Sequence, residues 1–439
     1  MTCERGKLLY TGKTKEVYEV LGRPDQVILA AKDDITAFDN AKFTKKFATK
    51  ARSATATTCR VFELLAATGI PVAYVEQISP TEFVSPKVRM IPLEVIARRY
   101  APKRSSYLKR HPELVRPEGF LPHRFHRLVV EFFLKTSKGK LHLPDGKELD
   151  LNLSSEKGEE DPFIAQPDMP HWDLFHSKKP AWSEDAKIGF LQDAQDILDL
   201  EERIVEMDKL TRSIFLVLEG AWATLGLRLI DFKIEFGVDE KGRLMVADVI
   251  DNDSWRLRDL AWQELSKQAF RDGENLGEVE KKYAQVASLV ERFRIPYQAI
   301  VLWRGSDKDK INSDPELPKV VDCEVVTVSG HKSPSIALSD LETLLTKYPD
   351  GGVIIAEVGM SNGLGPILAA RTSWPVIAVP LTADEHPEDA WSSLRLPSQV
   401  PLPVIMKESN AILAALNILA RNNPAVYAYR QLAIEALDD

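Results

Sequence analysis

The chain has 439 residues, which is enough for two or three domains that each bury a full core. Its composition, 44% hydrophobic and 28% charged, is ordinary for a soluble protein, and a formal net charge of −8 argues against a nucleic acid or an anionic membrane as partner. No run of about 18 apolar residues predicts a membrane span, and the first residues lack the apolar core of a signal peptide. Cys3, Cys59 and Cys323 lie far apart without CxxC spacing, which argues against a disulfide framework or zinc site and favours a cytoplasmic location.

The first half of the sequence mixes short strands with helices, which predicts an α+β domain. Three consecutive strands are predicted at LLYTG, KEVYEV and QVILAAKD, and then a helix at KARSATATTCRVFELLAATG, closed by Gly69. Residues 136–185 are charged and contain prolines, so we interpret them as a long surface insertion. Helical spacing of apolar residues from Asp196 to Leu225 predicts a helix that leads into the strand DFKIEFG.

A charged β-hairpin is predicted over residues 231–256 and is the most informative segment. Asp231, Lys233 and Glu235 alternate with apolar residues, so all three charges share one face of the first strand. If the turn is tight, the second strand brings Asp248 opposite Glu235. Like charges opposed on a sheet repel, so a cation is expected there. It is either Mg²⁺ with the phosphates of a nucleotide or, in the plainer interpretation, Lys233 on a solvated face.

A helix predicted from Glu278 to Phe293 precedes Pro296, after which the pattern changes to that of a second domain. Short apolar strands recur at AIVLW, EVVTV, GVIIAEV, VIAVPL and LPVIM, most of them separated by helical stretches such as SIALSDLETLLTKY. Apolar strands alternating with helices predict a parallel sheet that is covered on both faces, which is a doubly wound α/β fold.

Polar motifs follow three successive strands of this second domain: GSDKD, SGHKSP and SNGLGP. Ligands of an open parallel sheet bind outside the carboxyl ends of the strands, so these loops are expected to converge on one site. A histidine side chain can gain or lose a proton near neutral pH, so His331 suits proton transfer, and Lys332 adds a cation for a carboxylate or phosphate. A lone loop histidine is more often structural than catalytic, but three such loops at three strand ends favour a site.

These motifs resemble those of two enzyme families of purine synthesis. SGHKSP, SNGLGP and WSSLRLPS resemble the class II aminoimidazole ribonucleotide carboxylases. The first half resembles the succinocarboxamide synthetases, through GKTKEVYE, DDITAFD, MIPLEVIARR, YLKR, DFKIEFG and ADVIDNDSWR in that order. Together they point to the bifunctional animal-type family. The fold class implied is α/β, with an α+β ATP-binding synthetase domain first and a doubly wound, flavodoxin-like carboxylase domain second. We expect a synthetase domain at 1–275, a connecting helix at 276–295 and a carboxylase domain at 296–439.

For the synthetase domain, the resemblance implies activation of a ribonucleotide carboxylate by ATP as an acyl phosphate, followed by ligation to L-aspartate. The cofactors implied are ATP and Mg²⁺. The residues implied to bind ATP are Lys13, Thr14, Lys15 and Lys135. Those implied to hold Mg²⁺ are Glu235 and Asp248, with Lys233 as a catalytic cation beside them. Those implied to bind the carboxylated ribonucleotide are Asp39, Arg98, Ser106, Asp253 and Arg256.

For the carboxylase domain, the resemblance implies addition of CO₂ to C4 of aminoimidazole ribonucleotide without ATP or biotin. His331 is then the proton shuttle, and Lys332 stabilises the new carboxylate in a dry pocket. The residues implied to bind aminoimidazole ribonucleotide and CO₂ are Ser306, Asp309, Ser329, Ser361, Asn362 and Gly363. The resemblance also implies a homo-oligomer, an octamer, assembled through this domain.

The sequence departs from the family pattern at several positions. Ser106 is assigned from the YLKR that follows it rather than from spacing. Two segments, Asp161-Pro162 and Lys179-Pro180, are candidates for the Asp-Pro of the family, so no role is assigned there. In the second domain the unusual residues are Lys308, Ser333 and Met360.

Two other hypotheses stay open at the level of sequence. In one, the synthetase is active and the second domain is a catalytically impaired module that serves assembly. In the other, an unrelated ATP-dependent kinase or ligase is joined to a flavodoxin-like binding domain. Taken singly, Arg98 and Arg99 also fit a solvated pair at the end of a helix.

Overall fold

A computed structural model describes residues 3–36, 44–46, 49–143, 146–180, 182–200, 203–271, 275–307, 309 and 316–438. The chain divides into two compact units, residues 1–293 and 294–437, with the two terminal residues grouped with the first. In the described part of the chain, no helix has both the length and the apolarity needed to cross a bilayer.

The strands of the first unit form antiparallel sheets. Their bounds are β1 Arg5–Thr11, β2 Lys15–Val20, β3 Arg23–Ala31, β4 Asp34–Thr36, β5 Thr44–Lys46, β6 Glu76–Ser79, β7 Glu82–Pro86, β8 Arg89–Ala101, β9 His123–Leu134, β10 Lys140–His142, β11 Glu148–Asp150, β12 Phe163–Ile164, β13 Trp172–Phe175, β14 Lys187–Leu191, β15 Arg228–Val238, β16 Leu244–Ala247 and β17 Trp255–Arg258. Among described residues, one sheet has the order β1-β2-β3-β7-β6 and a larger one the order β14-β13-β12-β9-β8-β15-β16, with β17 also paired to β15. The three strands predicted at the start of the chain are confirmed as β1 to β3.

The helices of the first unit cover these sheets. Their bounds are α1 Lys50–Ala67, α2 Ser106–Arg110, α3 Ala194–Ile197, α4 Arg203–Thr224, α5 Gln268–Arg271 and α6 Leu276–Val290. The helix predicted before Gly69 is confirmed as α1, and Gly69 follows it with a φ of 85°, a left-handed conformation that ends a helix at little cost to glycine. The predicted connecting helix is α6, which packs within the first unit because Val279 and Tyr283 are buried there.

Strand β15 separates the apolar core of the first unit from a polar face. Phe232, Ile234 and Phe236 are buried, and Phe232 stacks on Phe215 of α4 with ring centroids 5.2 Å apart. Because side chains alternate along a strand, the charged residues between these apolar ones lie on the opposite face, as the sequence predicts. The apolar face anchors the strand against α4 and thereby fixes the position of the charged face.

Three expectations for the first unit are wrong in detail. The helix predicted from Asp196 to Leu225 is broken into α3 and α4, with Asp199 between them at a φ of 53°. Residues 136–185 are more than a loose insertion, because β12 and β13 pair into the large sheet through β9. In the hairpin, Glu235 pairs with Ala247 rather than with Asp248, since β16 ends one residue early.

The second unit is a doubly wound α/β fold, as the apolar strands predict. Its parallel strands are β18 Gln298–Arg304, β19 Val321–Thr327, β20 Gly352–Val358 and β21 Val376–Pro380, in the order β19-β18-β20-β21. Its helices are α7 Pro334–Lys347, α8 Leu364–Ala369, α9 Trp391–Leu394, α10 Glu408–Leu419 and α11 Pro424–Glu435. The fifth predicted strand, LPVIM, contributes only an isolated bridge between Val404 and Ala378.

Two apolar layers enclose this parallel sheet. Helices α7 and α8 pack on one face, around Val301 and Trp303, and α10 and α11 pack on the other, around Ile300 and Leu302. Burial of both faces explains why the strands have no polar alternation in the sequence.

Candidate active sites

A cluster of lysines and carboxylates lies on the polar face of β8 and β15 in the first unit. Lys135 Nζ lies 2.6 and 2.7 Å from the two carboxylate oxygens of Glu235. Lys233 Nζ lies 2.5 Å from Glu94 Oε1 and 4.0 Å from Glu235 Oε1. Lys15, at the start of β2, forms an ion pair with Asp248. The structure therefore brings together five residues that the sequence predicts for ATP and Mg²⁺, and adds Glu94.

The cations of this cluster shift the pKa values of their neighbours. Burial by itself would raise the pKa of Glu235, but Lys135 and Lys233 hold it below its ordinary value. Burial would lower the pKa of Lys233, but Glu94 and Glu235 raise it. For Lys15 burial dominates and lowers the pKa to about 8, against the opposing charge of Glu235. Glu235 and Lys233 thus stabilise each other's charged forms, whereas burial disfavours the charged form of Lys15.

The position of Asp248 in the cluster does not follow from the alternation of side chains along a strand. Its φ of 68° is left-handed, so the chain leaves the strand geometry at this residue. Ala247 occupies the position opposite Glu235, and Asp248 lies one residue further along, where it contacts Lys15 from the other sheet. Asp248 and Glu235 therefore belong to one cluster because both interact with Lys15, and not because they pair directly across the two strands.

We expect Lys15 to react with acylating reagents at a lower pH than an exposed lysine of the same unit does. With a pKa near 8, about half of its side chains are neutral at pH 8, whereas a lysine with a pKa of about 10.4 is almost fully protonated there. Competitive acetylation followed by mass spectrometry should give Lys15 a labelling midpoint near pH 8, at least one unit below that of exposed Lys281. Mg·ATP should protect Lys15 but not Lys281. Equal midpoints for the two lysines would contradict the inferred environment of Lys15.

A second cluster joins arginines and carboxylates further along the same face. Arg98 is buried, with Nε 2.7 Å from Glu131 Oε2 and Nη1 2.6 Å from Asp231 Oδ2. Arg256 Nη1 lies 3.4 Å from the same Asp231 oxygen, and Ser106 Oγ lies 3.5 Å from Arg98 Nη2. The structure therefore brings Arg98, Ser106 and Arg256 together, as predicted for a ribonucleotide site, although two nitrogens of Arg98 already hold protein carboxylates.

The interpretation of Arg98 and Arg99 as a solvated pair at a helix end is wrong. Both lie in β8 and are fully or almost fully buried. Arg99 points away from the ribonucleotide candidates and forms an ion pair with Glu219 of α4, with Nε 2.9 Å from Oε1. Adjacent arginines in a strand point to opposite faces, so one serves the site face and the other the core face.

Asp253 lies in a third cluster, where protein cations surround it. Lys267 Nζ lies 3.0 Å and Lys50 Nζ 3.3 Å from Asp253 Oδ2, and the Tyr283 hydroxyl donates to Oδ1. Burial opposes ionisation, but the two lysines hold the pKa of Asp253 well below its ordinary range. Burial and the neighbouring Asp253 raise the pKa of Asp251 to about 6. The contacts of Asp253 are thus structural in this state, and its role toward a ribonucleotide stays a prediction.

The remaining predicted residues of the first unit are Lys13, Thr14 and Asp39. Lys13 and Thr14 form the turn between β1 and β2, where the Thr14 carbonyl accepts a hydrogen bond of 2.8 Å from Lys32 N–H. Asp39 lies outside the described residues. Sequence reasoning assigned no role to Asp161, yet its charge acts on Lys233 and its Oδ1 accepts from Thr136 N–H at 2.9 Å. The Asp161-Pro162 candidate therefore lies beside the lysine–carboxylate cluster.

The donor set of this cluster fits Mg²⁺ only together with a nucleotide. Among the described residues no group of three His, Cys, Asp or Glu side chains is placed to hold a metal ion. Glu235 and Asp248 alone are two carboxylates, and each already contacts a lysine. Mg²⁺ typically takes one or two carboxylates and completes its shell with phosphate oxygens and water. These residues therefore suit an ion that is shared with bound phosphates.

In the second unit, the loops after β18, β19 and β20 meet at the carboxyl ends of the strands. The Asp309 carboxylate accepts a hydrogen bond from Ser306 Oγ at 2.9 Å and lies against the backbone of Gly305 and Gly359. A Cβ atom at either glycine would lie 3.2–3.3 Å from a carboxylate oxygen of Asp309. The convergence of the three loops that the sequence predicts is thus present, although Lys308 lies outside the described residues.

His331 and its neighbours occupy the edge of this loop cluster. The imidazole packs directly on Gly363, where any Cβ would collide with the ring. His331, Lys332 and Ser361 are exposed in the single chain, so the dry pocket expected for CO₂ is not formed by its described residues alone. Ser329 Oγ accepts from Lys332 N–H at 3.2 Å and so shapes the turn that carries both charged side chains.

Asn362 has a structural role that the sequence does not reveal. Its side chain is buried, donates to Ser393 Oγ at 2.9 Å and accepts from Gly365 N–H at 2.7 Å. These contacts tie the start of α8 to α9, which belongs to the WSSLRLPS motif. Asn362 thus orders the loop behind His331, and a direct contact with CO₂ stays a prediction.

Comparison with known proteins agrees with this arrangement of two sites. The family model described as SAICAR synthetase matches residues 8–145 and 173–290, and the model described as AIR carboxylase matches residues 315–434. These matches define the class as an enzyme with a synthetase unit followed by a carboxylase unit.

Relatives with both units on one chain identify the family. The chain is 35% identical over 445 residues to the probable multifunctional protein ADE2 of Caenorhabditis elegans, covering 97% of this chain and 92% of that one. It is 34% identical over 448 residues to the bifunctional phosphoribosylaminoimidazole carboxylase/phosphoribosylaminoimidazole succinocarboxamide synthetase of Rattus norvegicus, covering 96% and 92%. A crystal structure of the Ehrlichia chaffeensis phosphoribosylaminoimidazole-succinocarboxamide synthase covers 65% of this chain and 98% of its own, with 24% identity and a TM-score of 0.48. The chain belongs to the bifunctional phosphoribosylaminoimidazole carboxylase/succinocarboxamide synthetase family.

Proposed function

We propose that this chain catalyses two consecutive steps of purine biosynthesis, carboxylation of aminoimidazole ribonucleotide in the second unit and ATP-dependent ligation of the product to L-aspartate in the first. The observation that carries the proposal is the lysine–carboxylate cluster formed by Lys15, Lys135, Lys233, Glu94, Glu235 and Asp248. Family membership supports the pairing of the two reactions on one chain.

In the synthetase reaction, the lysines of the cluster are proposed to exchange partners when ATP binds. Phosphoryl transfer requires positioning and charge neutralisation more than covalent help from the protein. Lys15 and Lys135 would leave their carboxylates for phosphate oxygens, and Glu235 and Asp248 would then be available to hold Mg²⁺. When bound, the ion would neutralise charge on the phosphates. Lys233, held by Glu94, stays beside the transferred phosphoryl group as a fixed cation.

The acceptor of that phosphoryl group is proposed to lie at the arginine cluster. Arg98, Ser106 and Arg256 would orient the carboxylated ribonucleotide, whose carboxylate oxygen attacks the terminal phosphorus of ATP and releases ADP. The amine of L-aspartate then attacks the acyl carbon, and phosphate leaves. Of the Arg98 nitrogens, Nη2 contacts Ser106 and not a carboxylate, so it is the one proposed to bind an anionic group of the ligand.

In the carboxylase reaction, the protein is proposed to position CO₂ and to remove one proton. The enamine character of the ring makes C4 the nucleophile, so a C4–C bond forms to CO₂ and the C4–H bond then breaks. His331 would accept that proton, and Lys332 would stabilise the new carboxylate. Ser306 and Asp309 are proposed to hold the ribose phosphate end, together with Ser329, and the loop from Ser361 to Gly363 to line the CO₂ side.

Assembly of the second unit is proposed to complete this site. His331 and Lys332 are exposed, and so are large apolar residues of the same unit, among them Met360, Trp391, Leu394 and Met406. A homo-oligomer, an octamer by family resemblance, would cover apolar surface and exclude water from the CO₂ side. The three free cysteines are consistent with a cytoplasmic enzyme.

The histidine distinguishes two active sites from a carboxylase unit that only serves assembly. His331→Asn is expected to lower the kcat of carboxylation at least 100-fold, because general acid–base groups contribute about 10²–10⁴-fold. Synthetase activity and the assembly, measured by light scattering, should not change. His386→Asn, at another exposed histidine of the same unit, is the control and should retain full activity. Unchanged carboxylation in His331→Asn would favour the assembly hypothesis.

The proposal as a whole is tested by product analysis. The purified protein would receive aminoimidazole ribonucleotide, bicarbonate, Mg·ATP and L-aspartate, and a parallel reaction would start from the carboxylated ribonucleotide. Mass spectrometry should find the succinocarboxamide product in both reactions. Product only from the carboxylated start would show that the second unit lacks its chemistry, and product in neither reaction would contradict the synthetase assignment as well.

A further inference from the structure

The order of strands in the second unit defines where a ligand crevice opens. Leu317 and Val320, between β18 and β19, pack on the face covered by α10 and α11. Helix α8, between β20 and β21, packs on the opposite face. The segment that precedes β19 and the helix that follows β20 thus pack on opposite faces of the sheet, and a crevice forms at the carboxyl ends of strands with this arrangement.

A buried ion pair lies at this topological switch point. Arg304 is the last residue of β18, and it is in register with Glu357 near the end of β20. Arg304 Nε donates to Glu357 Oε2 at 2.7 Å, and the exposed fractions of the two side chains are 14% and 0%. The guanidinium is therefore fixed by its Nε at the carboxyl end of β18, next to Gly305.

A second carboxyl group limits the charge of this pair. Glu408, the first residue of α10, lies close enough to Glu357 for each carboxyl group to shift the pKa of the other. Glu357 Oε1 and Glu408 Oε1 are both buried without a donor among the described residues. One proton shared between the two carboxyls satisfies both oxygens. Consistent with this, burial and the neighbouring Glu357 raise the pKa of Glu408 to about 7.

The charged groups that surround the carboxyl pair come from three elements. Arg304 approaches from β18 and Asp309 from the loop that follows it, while Glu408 approaches from α10. With one shared proton, the two glutamates carry a single negative charge, which Arg304 neutralises. Among the described residues Glu357 is the one carboxylate within ion-pair distance of Arg304, and it engages Nε, so the two terminal nitrogens remain for a ligand.

We propose that Arg304 binds the phosphate of the ribonucleotide in the carboxylase site and that Glu357 is its positioning residue. The inference rests on the proposed function of the second unit. A guanidinium whose Nε is held by a carboxylate presents its two terminal N–H groups side by side, which matches two oxygens of a phosphate. Ser306, two residues further along, offers a hydroxyl at the same loop, so the phosphate would lie above the ends of β18 and β20.

The test compares substrates with and without the phosphate in the full-length protein. Arg304→Met is expected to lower kcat/KM for aminoimidazole ribonucleotide about 10- to 100-fold, mainly through KM, because a charge-assisted phosphate contact is lost. The same ratio for the corresponding ribonucleoside should change less than twofold. Arg421→Met, at an exposed arginine of the same unit, is the matched control and should leave both ratios unchanged.

Removal of Arg304 alone leaves Glu357 buried without its cation, so a second variant protects the test against misfolding. Arg304→Met/Glu357→Leu replaces both charges by apolar groups, a change that buried ion pairs often tolerate. This variant should show the same increase in KM for the ribonucleotide, and it should assemble normally. If it is folded and its KM for the ribonucleotide stays within twofold of the wild type, the proposal is wrong.

A local binding measurement separates this inference from the proposed function. Hydrogen–deuterium exchange should show that aminoimidazole ribonucleotide protects the backbone of residues 298–307 in the wild type and not in Arg304→Met. Protection without any carboxylation would overturn the proposed function but support the phosphate contact. Carboxylation with equal protection in the two proteins would overturn the phosphate contact alone.

The shared proton gives an independent readout of the positioning role. Between pH 6 and 8, loss of the proton from the Glu357–Glu408 pair adds a negative charge beside Arg304, so KM for the ribonucleotide should rise across this range. Glu408→Gln keeps a hydrogen-bond donor toward Glu357 but does not ionise, and its KM should stay level over the same range. A rise of KM in Glu408→Gln equal to that of the wild type would contradict the coupling.

Discussion

Asp248→Asn is expected to abolish ADP formation while leaving carboxylation of aminoimidazole ribonucleotide intact. The substitution removes the negative charge that pairs with Lys15 and that is proposed to hold Mg²⁺, at almost constant volume. Loss of one preorganised charged group at a reacting centre costs about 10²–10³-fold in kcat, and a shared metal ligand belongs at the upper end. The measurement is ADP release with the carboxylated ribonucleotide, beside carboxylase turnover of the same preparation.

Asp239→Asn provides the control for this prediction, because Asp239 lies in the turn of the same hairpin. Its carboxylate accepts hydrogen bonds from Lys241 N–H and Arg243 N–H at 2.9 and 2.8 Å and has no contact with the lysine–carboxylate cluster in the described structure. This variant should lose little synthetase activity. If both reactions failed together in a folded and assembled Asp248→Asn protein, the assignment of the two reactions to separate units would not stand.

Arg98→Met is expected to lower the free energy of unfolding of the first unit by about 3–5 kcal/mol. The side chain is 2% exposed and joins Glu131 to Asp231, so its removal breaks two buried ion pairs and leaves Glu131 only with Arg110 and Asp231 only with Arg256. Denaturant unfolding monitored through hydrogen exchange of the β8 amides measures the stability of the first unit separately from that of the second. A loss below about 1 kcal/mol would show that the cluster is hydrated and that Arg98 acts mainly toward a ligand.

Arg89→Met is the matched substitution for this comparison, since Arg89 begins the same strand. Its ion pair with Asp199 has an N–O distance of 2.6 Å, but the two side chains are 32% and 57% exposed. Exposed pairs contribute about 0–1 kcal/mol, so Arg89→Met should change stability by less than that. The two variants therefore separate the effect of a buried arginine from the general effect of losing one.

The strands and most helices follow directly from local patterns in the sequence. The alternation in DFKIEFG predicts β15 with its charged and apolar faces, and the unbroken apolar runs after Pro296 predict the parallel sheet. These patterns succeed because burial of a face imposes a period of two or a continuous apolar run on the residues themselves.

The contacts between distant segments do not follow from such patterns. Lys50 at the start of α1 and Lys267 just before α5 both form ion pairs with Asp253. Glu94 of β8 forms an ion pair with Lys233 of the neighbouring strand β15. Each of these residues occupies an unremarkable position in the sequence, because its partner is set by sheet order and not by spacing. The predicted pairing of Asp248 with Glu235 is wrong for a related reason, because one left-handed residue ends the alternation on which the prediction depends.

Because His331 contacts Gly363, the residues at these two positions are expected to vary together in related chains. The imidazole fills the volume that a side chain at 363 would need, so a larger residue there would require the exposed ring of His331 to move, although the backbone of Gly363, with a φ of −86°, would itself accept one. Across related chains, a larger residue at 363 should occur only where position 331 carries a smaller side chain or its loop has moved. The glycine therefore allows the imidazole of His331 to lie directly against the residue that precedes α8.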